Sequence, residues 1–300
     1  MLHVLNGDAT LTVFPSTVPG DRAVWRDIMV EGPAVDDGGV RAAWLAPRLG
    51  VAPEEYERGW REGQALLARA GEVDQVVLWF EQDLFCAVNL WFIVARLPLS
   101  TPLWLVFPPL SESCAGLGTL AASELAELFE GRCRLGSDAR REANALWRAY
   151  AASDPTGLAL TRSSLAFTDE ALRLHLGRFP SVSNGLNDIE SATLRALLPG
   201  PQVFGDLFRA VTHAPAHRRH GIGDVQYAAL LRELKPLIAL DGAATPFSRW
   251  RASLTQHGAA VLAGRLDGLA ARTLDRWLGG VHLQPGEESW RWDGARMVRR

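Results

Sequence analysis

The stretch from Gln75 to Leu97 constrains the fold of this chain more than any other. It opens with QVVLWF, passes through the polar turn Glu81-Gln82-Asp83, and continues as LFCAVNLWFIVARL. A short apolar run rich in β-branched and aromatic residues reads as a strand covered on both faces, as parallel sheets require. A helix that is apolar on nearly every side belongs in an interior. The apolar run is shorter than the roughly 18 residues a membrane span needs, and it carries Asn89. Strand, polar turn and buried helix in that order are one half of a βαβ unit, with Asp83 placed to cap the helix.

The rest of the first half repeats the alternation. Apolar runs predict strands near 2–6, 22–30, 75–80 and 102–107, and helical patterns cover 41–48, 53–70, 84–97, 119–130 and 137–151. Pro53 suits a first helical turn. Residues 9–21 hold two prolines and make a poor helix, yet are long enough for a parallel crossover. The predicted architecture is a Rossmann-like α/β domain with a mainly parallel sheet over residues 1–152.

A mainly parallel sheet gives the ends of its strands functional weight, because ligands bind outside the carboxyl ends. Three polar clusters stand there: Asn6-Gly7-Asp8 after LHVL, Arg26-Asp27 with Glu31-Gly32 after RAV, and Glu81-Gln82-Asp83 after QVVLWF. Asn6, Gly7, Asp8, Arg26, Asp27, Glu31, Gly32, Glu81 and Asp83 are therefore the candidate ligand-binding residues. Hard divalent cations want several oxygen ligands, so Asp8, Asp27 and Asp83 are candidate ligands for Mg2+ or Mn2+ in a metal-assisted reaction. Arg26 could fix a phosphate or carboxylate, and Gly7 and Gly32 would let a ligand approach the backbone. The bland alternative is that the acids cap helices and pair with Arg26 and Arg96.

The character changes around Ser153-Asp154-Pro155-Thr156-Gly157, which sets a boundary and assigns residues 153–300 to a second domain. A helix over 168–178 is followed by small helical units. Asn187 with Glu190 has the spacing of a capping box at the head of DIESATLRALL. QVFGDLFRAV and DVQYAALLRELK supply two more helices, LIAL a strand, and RASLTQHGAAVLAG a strand turning into a helix. Three helices followed by a small hairpin is the winged-helix order. The Pro-Gly and Asp-Gly turns near the end predict a small β-meander, making this an α+β domain.

Charge separates the halves. Residues 1–150 carry 20 acids and 13 bases, whereas residues 151–300 carry 14 acids and 18 bases. The third helix of the winged-helix-like segment is itself neutral, while DNA affinity rests on cations that neutralise phosphates. Nucleic acid is thus admitted as a partner but not favoured. Cys86, Cys114 and Cys133 form no C-x-x-C pair and read as reduced thiols. The chain starts with a strand-like run and has no basic-then-apolar leader, so a cytoplasmic protein without a membrane partner is expected.

Other motifs fare worse. Gly116-x-Gly118-x-x-Ala121 has dinucleotide-site spacing, but the glycines do not directly follow a strand, so a helix-entry loop is expected. His213, His217 and His220 surround Pro215 and lie beside Arg218 and Arg219, so a solvated loop is expected rather than a metal site. Trp277, Trp290 and Trp292 read as a small aromatic core. Cys86, close to two acids, reads as a structural thiol rather than a nucleophile. No G-x-S-x-G, H-E-x-x-H or Walker A segment occurs.

The motifs LHVLNGD, WRDIMVEGP and WFEQDLFCAVNL resemble, in order, those of the bacterial family known as domain of unknown function 1835. GLNDIE, GDVQY and RWLGGVHL…WRWD resemble the C-terminal region that often accompanies it. The resemblance spans most of the chain and implies a bacterial α/β protein, but it brings no established activity. The expected function is binding of a small polar or phosphorylated ligand at the strand ends, extending to metal-assisted catalysis. The alternative is a regulatory protein that contacts DNA or a protein partner through its second half. The sequence fixes no reaction and no oligomeric state.

Overall fold

The computed structural model describes residues 1–109, 116–165 and 167–300. Cys114 lies outside them. The first half builds β1 (Leu2–Leu5), α1 (Asp8–Val13), β2 (Asp21–Val24), α2 (Gly38–Leu49), α3 (Pro53–Glu72), β3 (Val76–Trp79), α4 (Leu84–Arg96), β4 (Leu103–Val106), α5 (Ala122–Glu130), β5 (Cys133–Leu135) and α6 (Ser137–Tyr150). The sheet order is β2-β1-β3-β4-β5. The first four strands are parallel, and β5 runs antiparallel at the edge.

Alternation along the strands sorts the two cores. Leu2, Val4, Val76 and Leu78 face a cluster with Trp91, Phe92 and Trp147 from α4 and α6. Leu5, Val77 and Trp79 face the other side with Phe14, Leu125 and Phe129. β1 and β3 are wholly buried, as their unbroken apolar runs require.

Leu5 pairs with both Val24 and Trp79, and Trp79 with Val106, so the carboxyl ends of four strands are level. The chain leaves β1 toward β2 on one side and later places β3 on the other. The crevice between β1 and β3 is thus the point where the connections change direction, the usual place for a ligand in open α/β sheets.

Four expectations change. Residues 9–21, read as a poor helix, begin inside α1, which ends at Val13 ahead of Pro15 and Pro19. The second strand, expected over 22–30, ends at Val24. Asn89 of α4 is the reason: its buried Oδ1 accepts from Trp25 Nε1 (3.2 Å) and from the Met29 backbone (3.1 Å), drawing the segment off the sheet. β5 was not expected, being three residues long with two exposed. The C-terminal strands form two separate hairpins rather than one meander.

The second half builds α7 (Thr156–Leu160), α8 (Thr168–Leu176), α9 (Asp188–Ala196), β6 (Gln202–Val203), α10 (Phe204–Thr212), α11 (Asp224–Glu233), β7 (Ile238–Asp241), β8 (Arg251–Leu254) and α12 (Gln256–Leu262). The hairpins are β9 (Arg276–Leu278) with β10 (Val281–Leu283), and β11 (Trp290–Trp292) with β12 (Met297–Arg299). β6, β8 and β7 make a small antiparallel sheet in that order. The capping box at α9 forms as its spacing dictates: Asn187 Oδ1 accepts from the Glu190 backbone (2.8 Å), and Glu190 accepts from the Asn187 backbone (3.0 Å). Trp290 and Trp292 pack on an apolar cluster with Phe179 and Leu278. Among the described residues no helix is long and apolar enough to cross a membrane.

Candidate functional site

The β1–β3 crevice holds a polar network. Asn6 follows β1 directly, and its Nδ2 donates across the crevice to Glu81 Oε1 at 3.0 Å. Thr10 Oγ1 donates to Asn6 Oδ1 at 2.8 Å and fixes the amide's orientation. The Leu117 backbone donates to the same Glu81 oxygen at 2.7 Å. Gly116 makes that approach available, because a Cβ there would stand 2.7 Å from Glu81 Oε1. The glycine pair at 116 and 118 thus serves close packing: a Cβ on Gly118 would stand 2.6 Å from Ala9 Cβ.

Asp83 caps α4, its Oδ1 accepting from the Cys86 backbone at 2.7 Å. Burial, with Glu81 adding repulsion against the restraint of the Cys86 amide, pushes its carboxyl up to about 7. Burial and the same two acids push the Cys86 thiol well up, so it stays protonated and is no nucleophile. Glu81, Asp83 and Cys86 are the one group of three potential metal ligands found close together among the described residues, their ligand atoms within 4.8 Å of one another. Two carboxylates and a protonated thiol depart from the all-oxygen shell that Mg2+ or Mn2+ prefers.

The other expected site residues lie elsewhere. Asp8 and Arg26 form an exposed two-point ion pair, at 2.6 and 3.0 Å. Its hydrogen bond holds the Asp8 carboxyl below the usual range. Asp27 accepts from Arg41 (2.9 Å), Tyr56 Oη (2.9 Å) and the Ile28 backbone (2.6 Å), and Arg41 is fully buried. Asp27 therefore ties the loop after β2 to α2 and α3. Glu31 accepts from Arg178 at 2.7 Å, and Gly32 adopts φ 73° where a side chain would press on Trp44 and Leu45. Gly7 is extended backbone with open space around it.

Asp8, Asp27 and Asp83 thus belong to three separate hydrogen-bond groups and are not one ligand set. Two of them are neutralised by an arginine each, which removes the electrostatic need for a shared cation. Arg26 is likewise committed to Asp8 rather than held open for an anion.

Beside the crevice lies a cavity of about 80 Å³. One wall comes from the loop after β2 and from α2, with Val30, Glu31, Trp44, Leu45 and Arg48; Leu84, the first residue of α4, adds to it. The opposite wall comes from the second half, with Arg178, Ile189, His220, Ile222, Gln226 and Leu230. Gly221 clamps that wall down: it adopts φ 66°, and a Cβ there would stand 2.8 Å from Phe85 Cβ and 3.1 Å from Asp83 Cγ.

His220 is the unusual member of this lining. It is only 3% exposed, and neither ring nitrogen has a hydrogen-bond partner among the described residues. Burial pushes its pKa down to about 3, with Arg178, His217 and Arg173 adding in the same direction. The expected solvated histidine loop therefore holds for exposed His213 but fails for His220. Trp44 Nε1 is a second buried donor without a partner, while the Arg48 guanidinium lies 3.7 Å from a ring centre of the same side chain.

Sequence reading placed His220 in a solvated loop and missed Arg178 and Trp44. The nearest signal was Gly221-Ile222-Gly223, since paired glycines mark close backbone approach. The chain matches no protein-family model and no curated protein.

Proposed function

We propose that this chain binds a small molecule at the carboxyl edge of its mostly parallel sheet, in the cavity that the second half closes over that edge. The observation that carries this reading is His220. A buried imidazole with both nitrogens unpaired is costly, and this one lines a largely apolar cavity in which a bound molecule would satisfy it. About 80 Å³ is several times the room one water needs.

The strand order β2-β1-β3-β4 supports a Rossmann-like reading of the first half. The family resemblance belongs to the same proposal, as does a cytoplasmic setting for the free thiols Cys86 and Cys133. Binding is favoured over catalysis because the crevice acids already have protein partners and the nearby thiol is protonated. Within the crevice, Glu81 and Asp83 repel a phosphate. Among the polar or phosphorylated ligands expected at the sheet edge, that favours an unphosphorylated one.

We read α9, α10 and α11 with the β6-β8-β7 sheet as winged-helix-like. One observation turns this module toward ligand sensing rather than DNA. Its third helix, α11, buries Tyr227, Ala228 and Leu231 in its own core, while Val225, Gln226 and Leu230 line the cavity and the helix packs against α2. The surface that would enter a groove faces the first half.

The test is a fragment screen on the full chain by NMR. Bound fragments should move the Trp44 indole N–H and the His220 ring signals together. Fragment binding that leaves both signals in place, or no fragment binding, would sink the proposal.

A further inference from the structure

We infer that the cavity takes a small carboxylate with a compact apolar body, its head group accepting a hydrogen bond from the His220 ring. This inference rests on the binding reading above and names the chemical class of its ligand.

The walls define the body. Leu45, Leu84, Ile189, Ile222 and Leu230 surround most of the space, and apolar walls favour an apolar occupant. The unpaired polar groups define the head. Neutral His220 carries one N–H, Trp44 carries another, and both lack acceptors among the described residues. Two unanswered donors call for an acceptor.

The sign of the potential makes that acceptor an anion. Arg178, which follows α8, Arg173 of α8 and His217 on the same turn all disfavour a proton on His220. His175 of α8 is buried with its own proton affinity lowered well below the usual value. The lining carries three arginines, Arg48, Arg178 and Arg276, against two acids, Glu31 and Glu233, which pair with Arg178 and Arg276. Asp83 contacts Gly221 from the side of α4 and caps that helix. A donor at positive potential is a site for negative charge. A single negative charge costs less to desolvate between these walls than a phosphate dianion does.

Isobutyrate, isobutyramide and inorganic phosphate separate the outcomes, each titrated into the full chain with His220 ring nitrogens read by NMR. Isobutyrate should saturate, move the Trp44 indole signal, and shift the ring-nitrogen signals of a His220 that stays neutral. It should bind about tenfold more tightly than isobutyramide, the margin of a charge-assisted over a neutral hydrogen bond. His220→Phe, checked for an unchanged melting transition, should abolish that margin. Should the variant fail to fold, the acid–amide comparison on the native chain decides alone. Equal binding of the amide overturns the carboxylate inference and leaves cavity binding standing. Tighter binding of phosphate overturns it too. Saturation by none of the three overturns the carboxylate inference, and the fragment screen then decides whether the cavity binds a small molecule.

Discussion

Asp83 and Glu190 show how neighbours decide the state of a carboxyl group. Asp83 has Glu81 beside it, and burial pushes it up to about 7. Burial also pushes Glu190 up, but Arg272 and Arg276 more than offset that and hold it down at about 2. For Asp83 the linkage runs against the usual acid. The unfolded chain loses its proton near 4, the folded chain near 7, so stability falls as pH rises between them. Asn caps a helix about as well as Asp. Asp83→Asn should therefore raise the melting temperature at about pH 8 and leave it little changed near pH 4. A lower melting temperature at the alkaline end would show that the charged form is needed for stability.

At the scale of elements, β3 and α4 organise the first half. Trp79 stacks on Phe129, meets Phe14 edge-on at 4.9 Å, and donates its Nε1–H to His3 Nδ1 at 3.0 Å. Trp79→Ala should cost about 3–5 kcal/mol in chemical denaturation, through the cavity left under the sheet. Trp79→Phe should cost less, yet still leave the buried His3 acceptor unpaired, at about 1–3 kcal/mol. An unchanged denaturation midpoint for the Ala variant would mean that this strand is not central. α4 was legible because its apolar run and Asp83 cap are local. β5 was not, since three residues with two exposed carry no periodic signal.

At the scale of the whole molecule, buried arginines join distant segments. Glu190 of α9 binds Arg272 (2.7 Å) and Arg276 (2.8 Å), and Arg276 also binds Glu233 of α11. Glu190→Gln would leave the wholly buried Arg272 without its counter-charge. The expected loss is about 3–5 kcal/mol, read by urea denaturation at neutral pH. This network's contribution is present above the ordinary glutamate range and fades as pH falls toward about 2. A loss under about 1 kcal/mol would show that the network adds little to stability. Arg178 does comparable work between the halves, donating to both Val30 O and Glu31.

What the sequence determined by itself is what neighbouring residues decide. Apolar runs set β1, β3, β4 and α4, Asp83 and the Asn187–Glu190 box set helix starts, and the strand ends marked the edge where polar groups gather. Hydrogen bonds within four residues and side-chain periodicity are readable from spacing alone. The tertiary structure decided which acids are free. Glu31 meets an arginine 147 residues away, and Glu190 meets others 82 and 86 residues away. It also turned a histidine in a polar tract into the unpaired wall of a cavity. Such pairings depend on which surfaces meet after the chain has packed, and no local pattern encodes them.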